Sequence, residues 1–123
     1  MSAPTTAERR LAARAAADGE FRLAARYWDG SLVIDLDGRE LAFTIADGRI
    51  SAGRSGTAMG RDFRLSAPRD VWEKVLAPVP PPFFNDILPA SAFGLVIDAE
   101  PETVWQYYPA VRRFIDLLRE EGV

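Results

Sequence analysis

Residues 28–50 read WDGSLVIDLDGRELAFTIADGRI, and their hydrophobic pattern decides the fold. From Ser31 the apolar side chains alternate: Leu32, Ile34 and Leu36 share one face, with Val33 and Asp35 between them. A period of two marks a half-buried strand. Asp37-Gly38 interrupts the run, and the alternation resumes with Leu41, Phe43 and Ile45. Asp47-Gly48 repeats the interruption before Arg49 to Arg54, where Ile50 and Ala52 point inward. An Asp-Gly pair suits the type I′ hairpin, whose two central residues both need positive φ. The stretch therefore predicts a three-stranded antiparallel meander.

Helices precede it. Thr5 and Glu8 stand at capping-box spacing, which predicts a helix from there to Asp18 with Gly19 as its C-cap. Phe21, Ala24, Ala25 and Trp28 form one apolar stripe at helical spacing. Residues 1–6 are expected to be a flexible N-terminus, and 7–121 a single domain.

Beyond the meander, Gly53, Gly56 and Gly60 punctuate a loop, GRSGTAMG, which reads as a mobile β–β connection. It lacks the Lys-Ser/Thr ending and following helix of a phosphate loop. Asp62 to Ser66 predicts a fourth strand, with Phe63 and Leu65 inward. Ser66, Ala67 and Pro68 open a helix to about Ala77, with Asp70 and Lys74 as an i, i+4 ion pair. Pro78, Pro80, Pro81 and Pro82 then exclude regular structure. Phe83 to Leu88 is expected to make one helical turn, and Phe93 to Asp98 a fifth strand. Pro101 starts the last helix, whose seam is Val104, Tyr108, Val111, Ile115 and Leu118. Pro109 within it should kink it or split it.

Composition narrows the chemistry. The 123 residues contain no cysteine and no histidine. Thiolate metal sites, cysteine nucleophiles, Ser-His-Asp triads and histidine-based metal sites are thereby excluded. No cofactor or metal is expected. A net charge of -3 argues against a broad nucleic-acid footprint. All but one of the 15 basic residues are arginine, and they are interleaved with acids rather than gathered into a patch. No apolar run is long enough for a transmembrane segment, and no secretory leader is recognisable, so the expected location is cytoplasmic.

The order of elements predicts an α+β fold: a mainly antiparallel five-stranded sheet with helices packed on one face. Here the chain resembles the sterol carrier protein type 2-like family, over roughly residues 20–120. WDGSLVIDLDG, RELAFTIADGRI, DFRLSAPRDVWEKVLA and AFGLVIDAE carry the likeness, together with the closing helix. The resemblance implies an apolar ligand, such as a fatty acyl chain or sterol, in a tunnel between sheet and helices. Some members of that family are separate carriers and others are domains fused or docked to enzymes, so a partner enzyme is one of the options the resemblance implies. Two stretches depart from the pattern. SAFGLVIDAE replaces a basic, glycine-rich entry to the last strand, with Glu100 at the place of a Gly-Asp turn, and the Pro78–Pro82 run is unusual.

The residues themselves leave two main functions open, beside a partner-docking domain with a vestigial pocket, which the sequence does not separate from the first of them. The first is binding or carriage of a small apolar ligand such as a lipid, sterol, terpenoid or polyketide. Phe83, Phe84, Phe93, Trp105 and Tyr108, with Trp72, are its candidate aromatic walls, and Tyr107, Tyr108 or an arginine its polar end. The second is a cofactor-free isomerase, cyclase or dehydratase using a buried carboxylate and tyrosines. Its candidates are Asp35, Asp98, Glu100, Tyr107 and Tyr108. Asp35 is a raised-pKa base if its sheet face is covered, and an ordinary solvated acid if that face is open. Exposed aromatics around Trp105 would suit a homodimer.

Overall fold

A computed structural model describes residues 3–54 and 60–122. The glycine-rich segment read as a mobile loop falls largely outside them.

Helix α1 spans Thr6–Ala16 and α2 spans Gly19–Ala25. The capping box forms as its spacing predicts: Thr5 accepts from the Glu8 N–H, and Glu8 accepts from the Thr5 N–H. Pro4 lies against Gly53. The break between the helices differs from expectation. Asp18 belongs to no helix body, and Gly19 is not a C-cap. Asp18 is the N-cap of α2, and its carboxylate accepts from the Phe21 N–H at 2.8 Å.

Strands β1 (Gly30–Leu36), β2 (Arg39–Ala46) and β3 (Arg49–Ala52) form the meander. Both hairpins carry positive φ at both turn residues: 54° and 96° at Asp37-Gly38, 51° and 76° at Asp47-Gly48. Gly53, at φ 95°, ends β3 two residues earlier than its sequence suggests. Strand β4 (Arg61–Ala67) pairs parallel with β1, and β5 (Val96–Ala99) closes the other edge. The sheet order is β3-β2-β1-β4-β5, antiparallel apart from the β1–β4 pair.

Ser66 and Ala67 extend β4 rather than opening the next helix, so α3 covers only Arg69–Val75. Its i, i+4 ion pair is Arg69–Glu73 at 3.2 Å, while Lys74 turns onto the Phe84 ring at 5.1 Å. Helix α4 is a single turn at Ile87–Ala90, started by Asp86, whose side chain accepts from the Leu88 N–H. Pro89 fits inside that first turn because an N–H there has no helical partner. Phe93 is not in a strand. It ends a 3₁₀ turn, Ser91–Phe93, that Gly94 closes at φ 112°.

Helix α5 runs unbroken over Pro101–Glu121, through Pro109. Pro109 is exposed on the outer face. The carbonyl one turn back, on exposed Trp105, therefore loses a helical partner where water can replace it.

The inner sheet face supplies Leu32, Ile34, Leu41, Phe43, Ile45, Phe63 and Leu65 to the core. Phe114 on α5 meets Phe43 edge-on at 5.0 Å and lies 6.1 Å from Phe21. Trp28 stacks on Tyr107 at 4.7 Å, and its indole N–H donates to the Arg61 carbonyl at 2.7 Å. Aromatic rings therefore pack much of the layer between sheet and helices.

Candidate functional site

Beside this layer lie a groove along α3 and an aromatic loop after it. The groove holds about 550 Å³. Its floor is Leu36 from the end of β1 with Trp72 and Leu76 from α3, and its rim is Asp37, Arg39, Arg69 and Glu73. Trp72 is only 4% exposed, yet its ring forms part of the wall. Its indole N–H donates to the Asp35 carbonyl at 2.8 Å, which holds the ring in place. The volume lies within the range of ordinary small-ligand pockets.

A second groove, about 730 Å³, lies between α2 and the β2–β3 turn. Leu23 is its most exposed apolar residue, and Arg22, Arg26, Asp47 and Arg49 are its charged ones. It is the larger of the two grooves, and Ala16, Phe21, Leu23 and Ile50 give it apolar surface as well.

The loop after α3 gathers three of the aromatic candidates. Phe93 lies 5.3 Å from Phe83 and 5.8 Å from Phe84, centroid to centroid. They form a surface cluster: Phe83 is 57% and Phe93 51% exposed. Asp86 ties the loop to α5, accepting from the Tyr108 hydroxyl and lying 3.7 Å from the Arg112 guanidinium. Burial, and then the bond to Asp86, push Tyr108 up to about 12. Trp105 stands apart on the outer face of α5, 83% exposed. The six aromatic candidates thus divide three ways. Trp72 lines the groove, Phe83, Phe84 and Phe93 cluster on the loop with Tyr108 at its anchor, and Trp105 is alone.

The carboxylate candidates do not converge either. Asp35 lies on the open sheet face, paired with Arg64 at 2.9 Å and accepting from the Gly38 N–H at 2.7 Å. Arg64 also holds Glu40, which in turn pairs with Arg54. Asp98, exposed, is the β5 residue opposite Arg64. Glu100 is exposed at the N-cap of α5. The sheet itself separates Asp35 and Asp98 from Tyr108. Tyr107 is buried in the stack on Trp28, and burial raises its pKa. A buried acid facing tyrosines, the geometry that catalysis would need, is not assembled from these residues.

Sequence reasoning missed two buried carboxylates that organise the scaffold. Asp18 receives both the Nε and an Nη of Arg113, at 3.0 and 2.8 Å. That pair, with the Phe21 N–H, lowers Asp18 to about 2 against the cost of burial. Glu8 accepts at both oxygens, from Thr5 and from the Ala42 N–H, each at 2.7 Å. Burial works to raise its pKa, but those backbone donors outweigh it and the net shift is downward. The Thr5–Glu8 spacing signalled only the local half of this arrangement. Among the described residues no cluster of acidic groups could hold a metal ion.

No protein-family model matches the chain, and no curated protein does. Solved structures do. Sterol carrier protein 2 aligns with a TM-score of 0.64 at 21% identity, covering 94% of this chain and 96% of its own. A conserved hypothetical protein from Thermus thermophilus aligns with a TM-score of 0.61 at 20% identity, covering 98% and 90%. The UbiJ-SCP2 ubiquinone synthesis protein aligns at 0.51 and 13% identity, with 90% of each chain covered. With the α+β order, the five-stranded sheet and the helices on one face already in hand, these likenesses establish that the chain has the fold of sterol carrier protein 2.

Proposed function

We propose that this protein binds and carries a small apolar ligand, seated in the groove floored by Trp72. The observation that carries the reading is the pairing of a sterol-carrier fold with an apolar-floored groove between the sheet end and α3. Leu36, Trp72 and Leu76 offer the ligand apolar surface, at about 25 cal/mol per Å² removed from water. Arg39 and Arg69 at the rim suit a polar or acidic head. The ligand then lies along the Trp72 wall, outside the packed aromatic layer of Trp28, Tyr107, Phe43 and Phe114. In this reading the carrier works in the cytoplasm, and exposed Trp105 offers a contact for a partner enzyme or a second copy.

The test begins with purified protein, denatured and extracted, its extract analysed by mass spectrometry for a stoichiometric apolar molecule. Delipidated Trp105→Phe protein is then titrated with fatty acids, sterols and terpenoids while tryptophan fluorescence is followed. A saturable response that disappears in the Trp72→Phe variant supports the reading. Absence of any saturable response across the panel sinks it.

A further inference from the structure

The loop between α3 and β5 has a composition unlike the rest of the chain. Charged residues make up 27% of the whole sequence, yet from Val75 to Ile97 the only one is Asp86. That single charge is countered in place by Arg112 and by the Tyr108 hydroxyl. The rest of the loop presents apolar groups to solvent: Val79, 87% exposed, with Phe83, Leu88 and Phe93. Phe83 and Phe84 both touch Phe93, so the rings form one contiguous patch. Exposed apolar groups gathered in this way mark an interaction site.

The backbone holds the patch outward at a cost. Phe83 has φ 75°, a left-handed conformation rare for a bulky residue. A turn in which the Phe84 N–H donates to the Pro81 carbonyl at 3.0 Å fixes it there. Strain retained to keep a phenylalanine in water points to a role for that ring.

Three observations favour a lipid surface as the occupant. The first is charge complementarity. Lys74, the only lysine, lies over Phe84, and Arg112 sits beside the Asp86 anchor with its side chain 58% exposed. Cations on flexible stems bordering an apolar patch match a headgroup layer, where phosphates lie above acyl chains. The second is backbone chemistry. Pro78, Pro80, Pro81 and Pro82 have no N–H, so the segment has few donors to strip of water on entering an interface. The third is shape. Val79, Phe83 and Phe93 are more than half exposed and face outward, and neither groove described above is lined by them.

We propose that the Pro78–Phe93 loop docks the protein on a lipid surface, with Val79, Phe83 and Phe93 entering the headgroup layer and Lys74 and Arg112 meeting its phosphates. This is peripheral attachment; among the described residues no helix is long and apolar enough to cross a membrane. It concerns where the protein sits, and it stands whether or not the Trp72 groove holds a ligand.

The experiment is flotation of the full chain with vesicles of phosphatidylcholine and phosphatidylglycerol in equal parts, at low salt. The wild type floats with the vesicles. The double variant Val79→Asp, Phe83→Ser loses vesicle affinity by at least roughly tenfold, since each side chain forfeits its apolar transfer energy. Both side chains are exposed, so the fold survives, which circular dichroism verifies. The control double variant Leu23→Ser, Tyr27→Ser removes exposed apolar groups from α2 and the turn after it, and floats as the wild type does. In a separate Phe83→Trp, Trp105→Phe variant, vesicles shift the emission to shorter wavelength. Failure of the wild type to float overturns the proposal, as does undiminished flotation of the loop variant. So does a dimer, seen by sedimentation velocity, that the loop variant abolishes while no protein floats.

Discussion

The Trp72 indole donates to the backbone carbonyl of Asp35 at 2.8 Å, so the wall of the groove is fastened to the end of β1. The same residue, Asp35, holds Arg64 on the opposite face of the sheet with its carboxylate. Backbone and side chain of one aspartate thus serve the two faces separately. Trp72→Phe keeps a ring in the wall but removes the donor and leaves a small void. We expect a loss of about 2 kcal/mol in denaturant unfolding, with ligand affinity falling further in Trp72→Ala. If Trp72→Ala binds the ligand found by extraction as tightly as the wild type, the groove is not the binding site.

Local rules made the hairpins legible, and long-range contacts hid the rest. Asp-Gly turns are readable because positive φ is demanded at those two positions and few residues supply it. The alternation of Leu32, Ile34 and Leu36 likewise needs no knowledge of what covers them. Asp18, by contrast, lies at the end of an alanine-rich run that continues the helical pattern, and its partner Arg113 is 95 residues away. The loop from Pro78 to Gly94 was the least legible segment. Its shape depends on Asp86 meeting Tyr108 and Arg112 on another element, and no sequence spacing encodes that meeting. The aromatic candidates failed to form one wall for the same reason. Proximity in sequence did not show that Trp105 and Tyr108 lie on different faces of α5, nor that Phe83, Phe84 and Phe93 cluster on the loop.

The Asp18–Arg113 pair predicts an acid limb in stability. Asp18 has a folded pKa of about 2, below its ordinary value of 3.8. A carboxyl depressed in the folded state contributes stability that is complete above the unfolded pKa and lost as pH falls through the folded one. The window is therefore pH 4 down to 2. Asp18→Asn should lose about 2 kcal/mol at neutral pH, since it weakens charge-assisted bonds and leaves Arg113 with Glu20 alone. The gap between variant and wild type should close towards pH 2 in urea unfolding curves. A gap that stays constant with pH would remove the charge from the explanation.

Glu8 makes a similar prediction with a different geometry. Its two oxygens accept from two backbone N–H groups, one capping α1 and one completing β2. Glutamine offers only one acceptor oxygen, so Glu8→Gln leaves one donor unmet and sets an NH₂ group against it. The expected cost is about 2 kcal/mol, somewhat more for Glu8→Ala. Hydrogen exchange should show the Ala42 amide losing protection in both. Unchanged protection at Ala42 would mean that the amide finds another acceptor.

Tyr108 predicts the opposite pH dependence. Burial and the hydroxyl's bond to Asp86 raise its pKa to about 12, above its ordinary value of 10. The folded state therefore holds a proton that the unfolded chain releases. The resulting stability is complete below pH 10 and is lost as pH rises towards 12. Tyr108→Phe removes both the alkaline limb and the tether from α5 to the loop. In that variant amides from Phe84 to Ala90 should exchange faster at neutral pH, while those of the Trp28–Tyr107 stack keep their protection. The distinction matters because Asp86 both starts α4 and accepts from Tyr108. If the loop amides exchange at the wild-type rate, the Asp86 cap and the proline-limited backbone suffice to shape the loop, and the tether is incidental.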